Sequence, residues 1–144
     1  MGEFSTIGVD LAKSVFQVHG ADASGAVLFR KKLRRHQVLT FFAGQRPCTV
    51  AIEACGSAHH WAPEIGRLGH TARLIPPAYV KPVVKRQKNA AAHAEAICEA
   101  AQRPSMRFVT PKSEQAQAAA LVFRARDLLV RQRTLKGRRP DREP

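Results

Sequence analysis

Phe4-Ser5-Thr6-Ile7-Gly8-Val9-Asp10-Leu11 sets four large apolar side chains among small ones and admits a single carboxylate, that of Asp10. The spacing predicts a buried strand, inside which a carboxylate is costly unless it serves a purpose. Working outward, Ser14 to His19 carries Val15, Phe16 and Val18 as a second β-rich run, reached by a short turn. Asp22 to Gly25 supplies turn residues, and Ala26-Val27-Leu28-Phe29 opens a third strand that runs into Arg30-Lys31-Lys32. Two hairpins therefore join three strands. His36 to Ala43 predicts a short helix with Val38, Leu39, Phe41 and Phe42 as its apolar face, closed before Pro47. Cys48-Thr49-Val50-Ala51-Ile52 reads as a fourth strand ending at Glu53.

Beyond it, Gly56-Ser57 marks a helix start with Ser57 as N-cap, carrying Trp61, Ile65 and Leu68 to a stop near Gly69. Ala72 to Ile75 is a fifth strand closed by Pro76-Pro77. The chain then turns helical. Ala90 to Ala101 is alanine-rich, with Arg103-Pro104 ending it. Lys112 to about Lys136 places Leu121, Ala125, Leu128 and Leu135 on one face, while its other faces are rich in arginine. Gly137 to Pro144 has two prolines and no apolar side chain, so a disordered tail is expected. This order predicts an α/β fold: a mixed sheet flanked by helices, then a long basic C-terminal helix.

Composition narrows the function. The 144 residues hold 24 Lys and Arg against 11 Asp and Glu, a net charge of +13, with 44% hydrophobic residues. That is a globular composition, and no apolar run approaches the roughly 18–20 residues that span a bilayer. No signal peptide is visible, and three cysteines without C-x-x-C spacing give neither a disulfide framework nor a zinc ribbon. A cytoplasmic, nucleoid-associated location with reduced thiols is the expectation, with no membrane partner.

A pI near 10.9 points to a polyanionic partner, foremost nucleic acid. Residues 81–144 carry 15 basic and 6 acidic side chains, against 9 and 5 in residues 1–80. Lys81, Lys85, Arg86 and Lys88 form one candidate nucleic-acid-binding cluster, and Arg124, Arg126, Arg131 and Arg133 another. Aromatics make up only 6%, which favours phosphate contacts over base stacking.

Two carboxylates stand at strand ends. If the first and fourth strands are parallel neighbours, Asp10 and Glu53 share one edge of the sheet and suit a hard cation such as Mg²⁺. The competing reading makes Asp10 a turn cap and Glu53 a helix cap, and spacing alone leaves both open. Ile7 to Ser14 also resembles the first phosphate turn of actin-like kinases. Those need glycine after the Asp-Leu step, where this chain has Ala12-Lys13. His59 and His60 beside Cys55 diverge on a helix and read as packing or surface residues, with Trp61 as a core anchor and Cys98 as a small buried hydrophobe.

Three blocks in order carry a wider likeness. They are Ile7 to Lys13, then Ile52-Glu53-Ala54-Cys55-Gly56-Ser57-Ala58-His59-His60-Trp61, then Lys88-Asn89 ahead of Ala94-Glu95-Ala96-Ile97-Cys98-Glu99-Ala100-Ala101. Together they resemble the N-terminal RuvC-like domain of bacterial DEDD insertion-sequence transposases, those guided by a bridge RNA. The resemblance implies a ribonuclease-H-like fold over residues 4–109, a basic helix starting a coiled-coil arm over 110–136, and an aberrant tail over 137–144. It implies Mg²⁺-dependent work on DNA and a structured guide RNA as second partner. Asp10 and Glu53 take the positions of the family's first two acidic residues.

The departures matter equally. Where the family carries an Asp-x-x-Asp step after Lys-Asn, this chain has Ala90 and His93. Ala90 offers no ligand, and a histidine nitrogen suits Zn²⁺ and Mn²⁺ better than Mg²⁺. Glu95 cannot replace the missing acid, since it lies about 200° round the helix from His93. The expected metal set is therefore Asp10, Glu53 and His93, with catalysis by Asp10 and Glu53 weak or absent. The family's second domain, with its nucleophilic serine, has no counterpart in these residues, so the chain reads as truncated. A non-catalytic DNA- or RNA-binding module, such as a decoy of a full-length transposase, is the alternative. A residual nuclease using Asp10, Glu53 and His93 is a third reading. The uncovered leucines of the last helix suggest a homo-oligomer.

Overall fold

A computed structural model describes residues 5–84 and 89–137. Five strands form one sheet in the order β3-β2-β1-β4-β5: β1 Thr6–Leu11, β2 Val15–Ala21, β3 Val27–Arg34, β4 Thr49–Glu53 and β5 Thr71–Ile75. The predicted hairpins pair β1 with β2 and β2 with β3 in antiparallel fashion. The chain then returns through a 3-10 turn at Arg35–Gln37 and α1, Val38–Ala43, so that β4 lies parallel to β1 and β5 parallel to β4. Helix α2, Ala58–Arg67, makes the second crossover. The mixed sheet between helices is thus the predicted architecture.

Strand alternation sorts the side chains onto two faces. One face sends Ile7, Val9, Phe16, Val18, Leu33, Val50, Ile52 and Leu74 against Val38 and Phe42 of α1 and Ala58, Trp61 and Ile65 of α2. Each large side chain buried there contributes about 1.5–3 kcal/mol. Trp61 meets Phe16 edge-on with ring centroids 5.2 Å apart, the anchoring role expected of it. The other face packs Ala51 and Ile75 against Ile97 and Ala100 of α4, Ala90–Ala101.

Gly8 explains how α4 comes so close. A Cβ at Gly8 would stand 2.3 Å from the Ala94 carbonyl oxygen and 2.6 Å from the Cys98 nitrogen. The bare backbone of β1 and the alanine-rich flank of α4 therefore touch directly. The Cys98 thiol, buried as expected, lies 3.6 Å from the Thr6 carbonyl.

Two local expectations change. Pro76-Pro77 does not simply end β5. Pro77 opens α3, Pro77–Val80, which continues into a 3-10 turn, Lys81–Val83. Proline lacks the N–H that the first helical turn leaves unused, so it starts a helix as readily as it stops one. Ser57 occupies the N-cap position of α2, yet its side chain makes no capping bond and lies 3.5 Å from the Cys55 thiol instead. Cys48, Cys55 and Cys98 are all free.

The described chain divides into two compact units at residue 111/112. The second holds α5, Glu114–Gly137, begun by Ser113, whose hydroxyl accepts the Ala116 N–H at 3.1 Å. Leu121, Leu128 and Leu135 are all exposed on it. Phe4, expected to begin β1, and the expected tail beyond Gly137 lie outside the described residues. No helix among the described residues is long and apolar enough to cross a membrane.

Candidate functional site

The parallel register of β1 and β4 aligns Gly8 with Ala51 and Val9 with Ile52, so the next pair in line is Asp10 and Glu53. Both carboxylates stand on the α4 side of the sheet, at the C-terminal edge of the two central strands. The arrangement meets the condition that the sequence left open.

Helix α4 brings the third group. Asn89 is its N-cap: in extended conformation, it accepts the Ala92 N–H on its side-chain oxygen at 2.8 Å. The helix thereby starts at Ala90 and turns His93 toward the sheet. His93 Nε2 donates to Glu53 Oε2. Glu95 points elsewhere, meeting Arg30 of β3 at 3.5 Å, as its position round the helix requires.

Asp10, Lys81, Val84, Asn89, Ala90 and His93 line a cleft of about 690 Å³. Burial pushes the Asp10 carboxyl above the ordinary carboxylate range; nearby His93 draws it partly back, and Glu53 adds to the rise. Ala90 presents only a methyl group at the spot where a carboxylate would face the same space.

A hard divalent cation asks for several converging oxygen donors. Here Asp10 supplies one carboxylate, while the second, Glu53, is engaged by an imidazole. Among the described residues no three His, Cys, Asp or Glu side chains form a metal-holding group. This donor set does not fit a Mg²⁺ centre of the four-carboxylate kind. It can bind and orient a polar or phosphate-bearing group, through Lys81, Asn89 and His93.

The sequence candidates thus separate. Asp10, His93 and Lys81 line one cleft, and Glu53 joins them through its contact with His93. Lys85, Arg86 and Lys88 lie outside the described residues. Arg124, Arg126, Arg131 and Arg133 are exposed on α5, in the second unit. Sequence reading did not assign Asn89 a role, although an asparagine directly before an alanine run is an N-cap signal.

The family model of the IS110-type DEDD transposases, described as "Transposase", matches residues 7–139. The chain belongs to this family. A probable family 20 transposase of Pseudomonas aeruginosa is 58% identical over 130 residues, covering 90% of this chain and 38% of that protein. The transposase for insertion sequence element IS1328 of Yersinia enterocolitica is 47% identical over 133 residues, covering 92% of this chain and 40% of that protein. This IS110-type domain therefore spans about two fifths of the length of the curated relatives it matches. Among solved structures, Thermus thermophilus RuvC in complex with a Holliday junction substrate superimposes with a TM-score of 0.51 at 13% identity. It covers 72% of this chain and 98% of that one, and establishes a RuvC-like, ribonuclease-H-like fold for the transposase domain. In a DEDD protein the positions of Ala90 and His93 are the notable ones, because both face the cleft that Asp10 enters.

Proposed function

We propose that this chain is a DNA-binding DEDD transposase domain acting in transposition with an impaired catalytic centre. The observation that carries this reading is the His93–Glu53 contact beside the methyl of Ala90. Two of four acidic positions are lost, and one of the two remaining carboxylates is occupied by the residue replacing a third. Asp10 and Glu53 keep the positions of catalytic ligands, but Mg²⁺ affinity falls because charge and oxygen donors are both reduced. Membership of the transposase family and the net charge of +13 support DNA as partner. A structured guide RNA is proposed as second ligand through the resemblance to bridge-RNA-guided relatives. Residues 4–109 would form the RuvC-like unit and 110–136 a basic arm, with self-association through the exposed leucines of α5.

The test is a calorimetric titration of Mn²⁺ into the chain and into an Ala90→Asp/His93→Asp double variant. Binding by the double variant alone supports a disarmed centre at Asp10–Glu53. Equal binding by both means that His93 suffices as a ligand and favours a residual nuclease, which metal-dependent nicking lost in Asp10→Ala would establish. Binding by neither removes the site assignment.

A further inference from the structure

Strand β3 carries four cationic side chains, Arg30, Lys31, Lys32 and Arg34, and Arg35 follows in the 3-10 turn; all five are exposed. They are not one patch. Lys31 lies over the Phe41 ring at 5.3 Å and Arg35 over the Trp61 ring at 5.5 Å, both on the α1–α2 side. Arg30 reaches Glu95 of α4 on the opposite side. Alternation along the strand puts Lys32 and Arg34 on that same side as Arg30.

The sheet register then ties Lys32 to the cleft. Lys32 is paired with Gln17, and Gln17 with Asp10, so the three residues stand in one row across β3, β2 and β1. Paired residues share a face, and neighbouring strands lie about 4.8 Å apart, so Lys32 and Asp10 are separated by about 10 Å between backbones. Arg34 stands two residues further along β3, roughly 6.6–6.8 Å from Lys32. Successive phosphates of a nucleic-acid strand are separated by a similar distance. Two carboxylates at Asp10 and Glu53 repel an approaching polyanion, and cations beside them offset that repulsion. Lys81 lines the cleft beyond Asp10.

We infer that Lys32 and Arg34, with Gln17 between them and the cleft, form a phosphate-binding track that leads one DNA strand from the β3 edge to Asp10 and Glu53. This rests on the proposed DNA-binding function and adds the residues and direction of approach. The track reads backbone rather than sequence, since exposed lysine and arginine side chains meet phosphates without base edges.

The experiment compares two equal charge removals from β3 and the turn that follows it. Lys32→Ala/Arg34→Ala empties the α4 side, and Lys31→Ala/Arg35→Ala empties the other. Binding of the 144-residue chain to a labelled DNA duplex, and to an RNA duplex of the same length, is followed from ~50 to ~200 mM salt. The first pair is expected to reduce the salt slope of log K by about 1.8, at ~0.9 per lost phosphate contact, and the second pair by less than half of that. The single variant Lys32→Gln, which keeps a long polar side chain, is expected to lose about one contact's worth. Equal losses from both pairs would reduce the effect to bulk charge and overturn the inference. So would an unchanged slope in the first pair, or a loss confined to RNA. A wild-type chain that binds no DNA would overturn the proposed function as well, whereas wild-type binding with an unaltered first pair overturns the track alone.

Discussion

His93 Nε2 and Glu53 Oε2 meet across 40 positions of sequence, joining the first turn of α4 to the end of β4. Both side chains are partly buried, so the contact is screened less than a surface pair. A double-mutant cycle with Glu53→Gln and His93→Ala is expected to give a coupling energy of about 0.5–3 kcal/mol in urea unfolding. Strictly additive costs would show that the contact contributes nothing to stability.

Asp10 is held at the expense of the fold. Its carboxyl is raised above the ordinary carboxylate range, chiefly by burial, so the folded state favours the protonated form. The contribution is therefore most favourable below the unfolded-state value and is lost as pH rises through the folded-state value. Asp10→Asn should raise the thermal midpoint by a few degrees at neutral pH, and by less at acidic pH where the native carboxyl is protonated. An equal gain at both pH values would contradict this account.

Gly8 should tolerate no side chain. Its missing Cβ leaves room for backbone atoms of α4, which cannot swing aside as a flexible side chain would. Gly8→Ala is expected to cost about 2–3 kcal/mol in denaturant unfolding and to separate His93 from Glu53. A neutral substitution would mean that α4 is less tightly seated on β1.

His70 is a structural counterpart to His93. It is buried, with Nε2 donating to the Phe42 carbonyl at 2.7 Å and Nδ1 accepting the Cys48 N–H at 3.3 Å. His70→Ala removes the partner of the Cys48 N–H, while the Phe42 carbonyl keeps the Gln45 N–H at 3.2 Å, and should cost about 1–3 kcal/mol. Thermal or urea melts decide the matter, and DNA binding should be unchanged in whatever fraction remains folded.

The cysteines should separate by reactivity. Burial pushes the thiols of Cys48 and Cys98 up to about 11, whereas Cys55 is exposed. A thiol reagent at neutral pH is expected to label one cysteine rapidly in the native state and all three after denaturation. Loss of the fast phase in Cys55→Ser identifies it.

The strands were legible because their pattern is local: Val15, Phe16 and Val18, or Val50 and Ile52, declare buried β structure without outside help. Asp10 and Glu53 were legible as strand-end carboxylates, but their meeting depended on β1 and β4 being parallel and in register, which alternation cannot specify. Helix α3 was hidden because Pro77 carries the same local signal as a breaker and as a first helical residue. Ser57 fits the cap pattern without forming the bond, whereas Asn89 forms it, and only the neighbouring geometry separates the two. The facing of Lys32 toward Asp10 needed two successive cross-strand registers, each set by hairpin turns.

The cations of β3 have a consequence beyond any ligand. A strand at the edge of a sheet is a template on which another chain can add its own strand. Here Arg30 to Arg34 confronts any second copy approaching edge to edge with the same positive charges. The β3 edge therefore discourages chains from zipping together along it into a continuous sheet.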